Sequence, residues 1–188
     1  MGWLVLLDTV PIAVMGLLFR HLIETTLHNL YLNASMLIVF GLLLAAADVI
    51  GAKKRPLDTM TWRDGMILGF AQALALIPGV SRSGGTISAG LALGYTRAAA
   101  ARYSFLLAIP AVLLSGFYQL LASRDANDGG SWSSLAIATL VAFVVGYGVI
   151  IAFLRIVSSR SYLPFVAYRV FAGTMLLGLL SFGYIPAT

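Results

Sequence analysis

Arg82 is the residue in this chain best suited to chemistry. It stands in the run Pro78-Gly79-Val80-Ser81-Arg82-Ser83-Gly84-Gly85-Thr86, among three glycines, one proline and three hydroxyl side chains. A guanidinium offers a planar fork of donors that matches phosphate oxygens two at a time. Ser81, Ser83 and Thr86 can add hydroxyl donors. Gly84 and Gly85 let backbone approach a ligand closely, and amides at the start of a helix after the loop would point at it. The set suits an oxyanion, phosphate above all. Ser81 is a candidate nucleophile and equally a candidate phosphate ligand. Gln72, alone on an apolar surface, either orients a ligand or water or satisfies a neighbouring backbone group. The competing reading of Arg82 is that it neutralises a buried carboxylate, Asp48 and Asp64 being the nearest acids in sequence.

The segments that must position this loop belong in a membrane. Hydrophobic residues make up 60% of the chain and charged residues 10%, and the mean hydropathy is +0.95. That composition predicts an all-α polytopic membrane protein forming a single domain over residues 1–188. An arginine at membrane depth is a functional-site hypothesis, and irregular backbone is tolerated there only when buried in protein or lining a wet cavity. The net charge of +5 and pI near 9.8 do not indicate nucleic acid, because the basic residues sit in short loops without aromatic interleaving. The absence of cysteine excludes disulfides, zinc–cysteine sites, iron–sulfur clusters and thiol nucleophiles. The opening MGWLVLLD lacks a positive region and a cleavage site, so no signal peptide is expected.

Five spans are expected, at Trp3–Phe19, Ala34–Ile50, Ala99–Leu121, Ser134–Leu154 and Leu163–Tyr184. Between the second and third lie two apolar segments too short to cross, Gly65–Ile77 and Ile87–Gly94, on either side of the polar loop. They predict a re-entrant helix–loop–helix over about residues 65–94, against the plainer reading of one kinked helix. Lys53, Lys54, Arg55, Arg63, Arg97, Arg102, Arg155 and Arg160 fall on one side and Arg20 and Arg124 on the other. The basic side is cytoplasmic by the positive-inside rule, and the hairpin enters from it.

The remaining polar residues are less suggestive. Asp8 and Asp48 lie near span ends, where headgroup exposure is expected, and Asp64 reads as interfacial. Tyr103, Tyr168 and Trp62 read as interface anchors. Arg169, inside the last span, either helps to bind an anion, snorkels, or pairs with a hydroxyl. His21 and His28 read as ordinary interfacial histidines, no third metal ligand being patterned with them. Glu24 is the sole glutamate, and no closely spaced carboxylate pair exists to act as general base or metal site.

The run FAQALALIPGVSRSGGTIS resembles the arginine-containing signature of the undecaprenyl pyrophosphate phosphatase family, the bacitracin-resistance membrane phosphatases. TVPIAVMGLLF, RYSFLLAIPAVL and SYLPFVAYRVFAG resemble other parts of that family in the same order, so the similarity runs over nearly the whole chain. The resemblance implies a hydrolase of the bacterial cytoplasmic (inner) membrane. It would cleave undecaprenyl pyrophosphate to undecaprenyl phosphate and inorganic phosphate, recycling the lipid carrier for peptidoglycan. It implies an inverted-repeat fold of which this chain is the larger part, with Ser81, Arg82, Ser83, Gly84 and Thr86 matching the second motif, whose arginine holds the pyrophosphate. The family's first motif, ExxxE followed by PxSSTGH, has no match here; Gln72 and Leu76 occupy the places that correspond to those glutamates by the internal repeat. The chain is therefore expected to lack an N-terminal part, supplied in a longer gene product or by a partner or second copy, and residues 1–188 by themselves are not expected to be active. The family also implies a divalent cation, Mg or Ca, whose ligands are not visible in this sequence. The alternatives are a polyprenyl-phosphate transporter or flippase, or a non-catalytic remnant.

Overall fold

The computed structural model describes residues 2–19, 29–122 and 132–186. Arg20, His21, Glu24, His28 and Arg124 lie outside them. The described residues form seven α-helices: α1 (Gly2–Leu18), α2 (Leu30–Ile50), α3 (Trp62–Ala73), α4 (Arg82–Ala92), α5 (Arg97–Ala122), α6 (Trp132–Ser159) and α7 (Leu163–Ser181). Helices α2, α5, α6 and α7 are long and apolar enough to cross a membrane, while α1 is apolar but shorter. The protein is an all-helical polytopic membrane protein. Helix α2 begins four residues earlier than the hydrophobic run suggests, because the Asn29 side chain caps it by accepting from the Tyr31 amide at 2.8 Å.

Helices α3 and α4 form the hairpin, and its two ends meet. Thr61 and Asp64 make a capping box at the start of α3. Helix α4 ends in a glycine C-cap: Gly94 has φ +86°, and the amides of Gly94 and Tyr95 donate to the carbonyls of Leu91 and Gly90 at 2.9 and 3.0 Å. The Tyr95 hydroxyl then donates to Asp64 Oδ2 at 2.7 Å. Arg55 Nη2 donates to the same oxygen at 2.7 Å, and the backbones of Arg55 and Tyr95 form a bridge. Entry and exit are thus tied together on one side, as a re-entrant hairpin requires and a kinked spanning helix forbids.

The same side collects the ends of four spans. Arg97 at the start of α5 donates through Nε and Nη2 to the two oxygens of Asp48, near the end of α2, at 2.6 and 3.1 Å. The Tyr162 amide, just before α7, donates to Asp48 Oδ2 at 3.2 Å. Beneath this rim Leu44, Leu68, Leu91, Tyr95, Leu107, Val157 and Val166 belong to one buried apolar cluster. Helices α2 and α7 run antiparallel in close contact. A Cβ at Gly173 would stand 2.8 Å from the Ala34 carbonyl oxygen and 2.6 Å from Ile38 Cγ1, and one at Gly41 3.3 Å from Arg169 Cβ. Helix α6 turns almost its whole length outward: none of its apolar window is buried in the protein, which suits a lipid-facing helix. Its contacts include Phe153 on Phe105 and Phe165, with ring centroids 5.5 and 5.2 Å apart.

Three expectations are corrected here. Asp48 is buried and paired with Arg97 rather than exposed to headgroups. Asp8 is also buried, 1% exposed, and accepts a hydrogen bond from the Tyr103 hydroxyl; Tyr103 is buried too and anchors no interface. Asp64 is buried in the hairpin's mouth. The cause is common to the three carboxylates: each is met by a partner from another part of the chain, Arg97 for Asp48, Tyr103 for Asp8, and Arg55 with Tyr95 for Asp64, and so stays inside. Trp62 and Tyr168 are exposed, as interface anchors should be.

Two outcomes test this arrangement. Cysteines replacing Lys54 and Ser159 in this cysteine-free chain should be shielded from an impermeant thiol reagent in intact cells, and one replacing Tyr184 should react; labelling of 54 with protection of 159 would break the single-sided rim. The second concerns acid. Burial raises the Asp64 pKa, but hydrogen bonds from Arg55, Thr61 and Tyr95 outweigh it and hold the carboxyl well below the usual range. A depressed carboxylate contributes stability that is present above its unfolded pKa of about 4 and lost as pH falls toward the folded value. Asp64→Asn should therefore lower the melting temperature at pH 7, by a loss of about 1–3 kcal/mol, and the gap to the wild type should narrow steadily below about pH 4.

Candidate functional site

The site sits at the closed end of the hairpin. Helix α3 tightens into a 3₁₀ turn at Leu74–Leu76, and Pro78, which has no amide hydrogen, prevents any continuation. The chain reverses at Gly79, whose φ of +90° an L side chain rarely adopts. A Cβ there would also collide with the backbone carbonyl of Asn33 and lie 2.8 Å from its Oδ1. The tip therefore reaches the first turn of α2. Asn33 is fifteen residues from Asp48 at the mouth side, or about 22 Å along a helix axis, so the tip lies far from the rim.

Helix α4 starts at the tip with Arg82 as its first residue. Ser81 is its N-cap, accepting from the Gly84 amide at 3.3 Å through Oγ, while its carbonyl accepts from the Gly85 amide at 3.0 Å. Its φ of +66° is a strained conformation for a serine, of a kind found at ligand sites and held only by its surroundings. The Ser81 and Ser83 hydroxyls are 3.5 Å apart. Arg82 is half-buried and makes no hydrogen bond or ion pair among the described residues. The carboxylates that might have neutralised it are committed elsewhere, Asp48 to Arg97 and Asp64 to Arg55.

Arg169, on α7, reaches the same place. Its Nη2 donates to the carbonyls of Gly79 and Val80 at 2.8 and 3.0 Å, and a Cβ at Gly84 would be 3.4 Å from its Nη1. Of the three expectations for Arg169, snorkelling and pairing with a hydroxyl are replaced by this embrace of the loop. Arg82 and Arg169 thus both belong to the tip, with no carboxylate paired to either among the described residues.

The other sequence-chosen residues divide. Ser81, Ser83 and Gly84 lie at the tip. Gly85 faces α3, where a Cβ would stand 3.0 Å from the Ala71 carbonyl; its smallness serves helix packing. Thr86 is buried, and its hydroxyl is engaged by the Arg82 and Ser83 carbonyls and by Ser104 Oγ of α5 at 2.6 Å. It pins α4 to α5 and does not face the tip's opening. Gln72 is fully buried, and both its amide atoms lack a hydrogen-bond partner among the described residues, which rules out the plainer reading that it satisfies nearby backbone. Asn33 was not singled out from sequence; nothing in its local pattern places it against Gly79. No three His, Cys, Asp or Glu side chains come together among the described residues, so those residues alone do not fit a divalent cation.

With this geometry in hand, the relationships are clear. Residues 1–175 match the family model of the bacitracin resistance protein BacA. The chain belongs to that family. It is 59% identical over 187 residues, all of this chain, to a protein of Agrobacterium fabrum named undecaprenyl-diphosphatase 2, covering 67% of that protein. It is 56% identical over its whole length to an undecaprenyl-diphosphatase of Kineococcus radiotolerans, covering 66% of it, and 58% identical to one of Pseudarthrobacter chlorophenolicus, covering 69%. The chain spans about two thirds of the length of these BacA relatives.

The tip's construction predicts a contrast between two glycines. Gly79→Ala must adopt a positive φ and displace the Asn33 backbone; it should cost about 2–4 kcal/mol in thermal or denaturant unfolding. Gly183→Ala shares the positive φ, at +73°, but meets nothing within 4 Å and should cost only about 1 kcal/mol. Equal losses would mean that the Gly79–Asn33 contact contributes nothing.

Proposed function

We propose that this protein hydrolyses undecaprenyl pyrophosphate to undecaprenyl phosphate and inorganic phosphate, at a site formed around the hairpin tip in the bacterial cytoplasmic membrane. The observation that carries the reading is Arg82: a half-buried guanidinium without a partner among the described residues, on the first turn of a half-helix in a strongly apolar protein. A buried cation left unpaired is expensive unless an anion completes it. The relatives named undecaprenyl-diphosphatase supply the chemical class of that anion.

In the reaction, a nucleophile attacks the terminal phosphorus and the bond to the bridging oxygen breaks, the electron pair leaving with the lipid monophosphate. Negative charge grows on the bridging and equatorial oxygens. Arg82 would take two of those oxygens, and the amides opening α4 would add partial positive charge. Ser81 is the candidate nucleophile or a further phosphate ligand; its Oγ already lies in the N-cap position facing those amides. Gln72, buried with its amide unsatisfied, would hold a water or phosphate oxygen from the α3 side. A divalent cation would add charge neutralisation, and its ligands would come from outside the described residues. The tip lies near the end of α2 remote from the basic rim, which supports opening toward the outer face. The lipid and membrane are the partners this reading requires; a second copy or a further segment of polypeptide would supply the acid–base groups.

The test is phosphate release from a prenyl pyrophosphate by the protein purified as its gene encodes it. Arg82→Ala should lower turnover by about a hundredfold or more while the protein still inserts and folds. Arg82→Lys should also fail badly, because a point charge does not reproduce a bidentate fork. Near-normal turnover by Arg82→Ala would remove the central assignment. Transport or binding of a prenyl phosphate by a wild type that releases no phosphate would favour the transporter reading.

A further inference from the structure

Resting on that reading, we propose that Arg169 is a specificity-determining residue: it recognises the extra phosphate of a lipid diphosphate and so separates that substrate from the lipid monophosphate that hydrolysis leaves.

The inference begins with how Arg169 divides its donors. It is 8% exposed. Nη2 is spent on the Gly79 and Val80 carbonyls. Nε is buried without a hydrogen-bond partner. Nη1 makes no hydrogen bond among the described residues and is not sealed off as Nε is. It stands beside Gly84, where the missing side chain leaves open the space between Nη1 and the start of α4. One edge of the guanidinium therefore braces the loop, and the other faces the start of α4, the helix that Arg82 opens.

Charge then decides what the ligand must be. Carbonyl oxygens satisfy hydrogen bonds but cancel no net charge. The tip holds two guanidinium cations, and no carboxylate pairs with either among the described residues. One phosphate group on Arg82 would complete one of them and leave Arg169 a buried, uncompensated cation, which is costly. A diphosphate carries a second anionic group one bridging oxygen away and can complete both. When the terminal phosphate is cleaved and leaves, the remaining monophosphate can no longer span the pair, so its hold on the site weakens as soon as the bond is broken.

The experiment uses the protein in nanodiscs with two probes, farnesyl methylenediphosphonate, which cannot be hydrolysed at the bridge, and farnesyl phosphate. The wild type should bind the diphosphonate tighter by about tenfold or more, the usual worth of a charged hydrogen bond. Arg169→Gln also removes the brace on the Gly79 and Val80 carbonyls, so it should weaken both lipids, but the diphosphonate much more, bringing the preference to within about twofold of unity. Gly84→Ala tests the free edge without touching the brace: its Cβ makes only ordinary 3.4 Å contacts, so the protein should fold, yet it fills the space beside Nη1 and should lower the preference as well. This second variant carries the test if Arg169→Gln does not fold. Equal weakening of both lipids by Arg169→Gln would reduce Arg169 to a brace and overturn the proposal. An unchanged preference in both variants, or a wild type that binds both probes equally, would overturn it too. A wild type that binds neither probe would overturn the phosphate site itself, and this proposal with it.

Discussion

A chain that stops inside a membrane and turns back exposes carbonyls that no helix satisfies, and in hydrocarbon they must be answered by protein. Here the answer comes from α7, about 90 residues further along the chain: Arg169 takes the carbonyls of Gly79 and Val80 with one nitrogen. That reach works only because α7 lies hard against α2, which the glycines at 41 and 173 permit, and because the start of α7 is fixed to the ends of α2 and α5 through Asp48. The shape of the tip thus depends on helices that contribute no residue to the loop. Substitutions in the α2–α7 seam should disturb the tip before they disturb the rest of the bundle.

The two ends of the hairpin are treated oppositely. At the mouth, acids and bases are matched: Asp64 with Arg55, Asp48 with Arg97, both hydrogen-bonded further by tyrosine or backbone groups. Such matched rims hold elements in register and leave nothing for a ligand to complete. At the tip, two guanidiniums and the amides of a helix start converge, with no carboxylate paired to them among the described residues. The nearest acid on α1, Asp8, is turned to Tyr103 of α5. The asymmetry separates charge matched within the protein from charge left unmatched among the described residues, and it does so by partners rather than by depth alone.

Much of this was legible in the sequence. Half-length apolar segments around a Pro/Gly break could only be a hairpin or a kink, and the unusual run around Arg82 marked the site. Arg55 and Arg97, two of the basic residues assigned to one side, do meet there through Asp64 and Asp48. What could not be read were contacts between helices. Thr86 and Gly85 look like ligand residues in a one-dimensional motif, yet helical periodicity turns them toward α5 and α3. Asp8, Asp48 and Tyr103 look interfacial because each is judged alone, and pairing across helices is invisible until the helices are placed. Arg169 was noticed, but only tertiary structure brings it to a loop so far back in the chain.

The strain at Ser81 completes the picture. A serine at φ +66° persists only where its neighbours leave it no better choice. Here the Gly84 amide holds its hydroxyl, the Gly85 amide holds its carbonyl, and Arg169 fixes the residue before it. Thr86 and Ser104 fix the next turn of α4. The backbone at the start of α4 is therefore held by the protein itself, and the direction of its amide dipoles is fixed. Preorganised donors of this kind give the largest electrostatic stabilisation of a transition state when water is excluded. A loop of small residues is braced this heavily because its backbone groups, enclosed among apolar helices, have no bulk water to satisfy them.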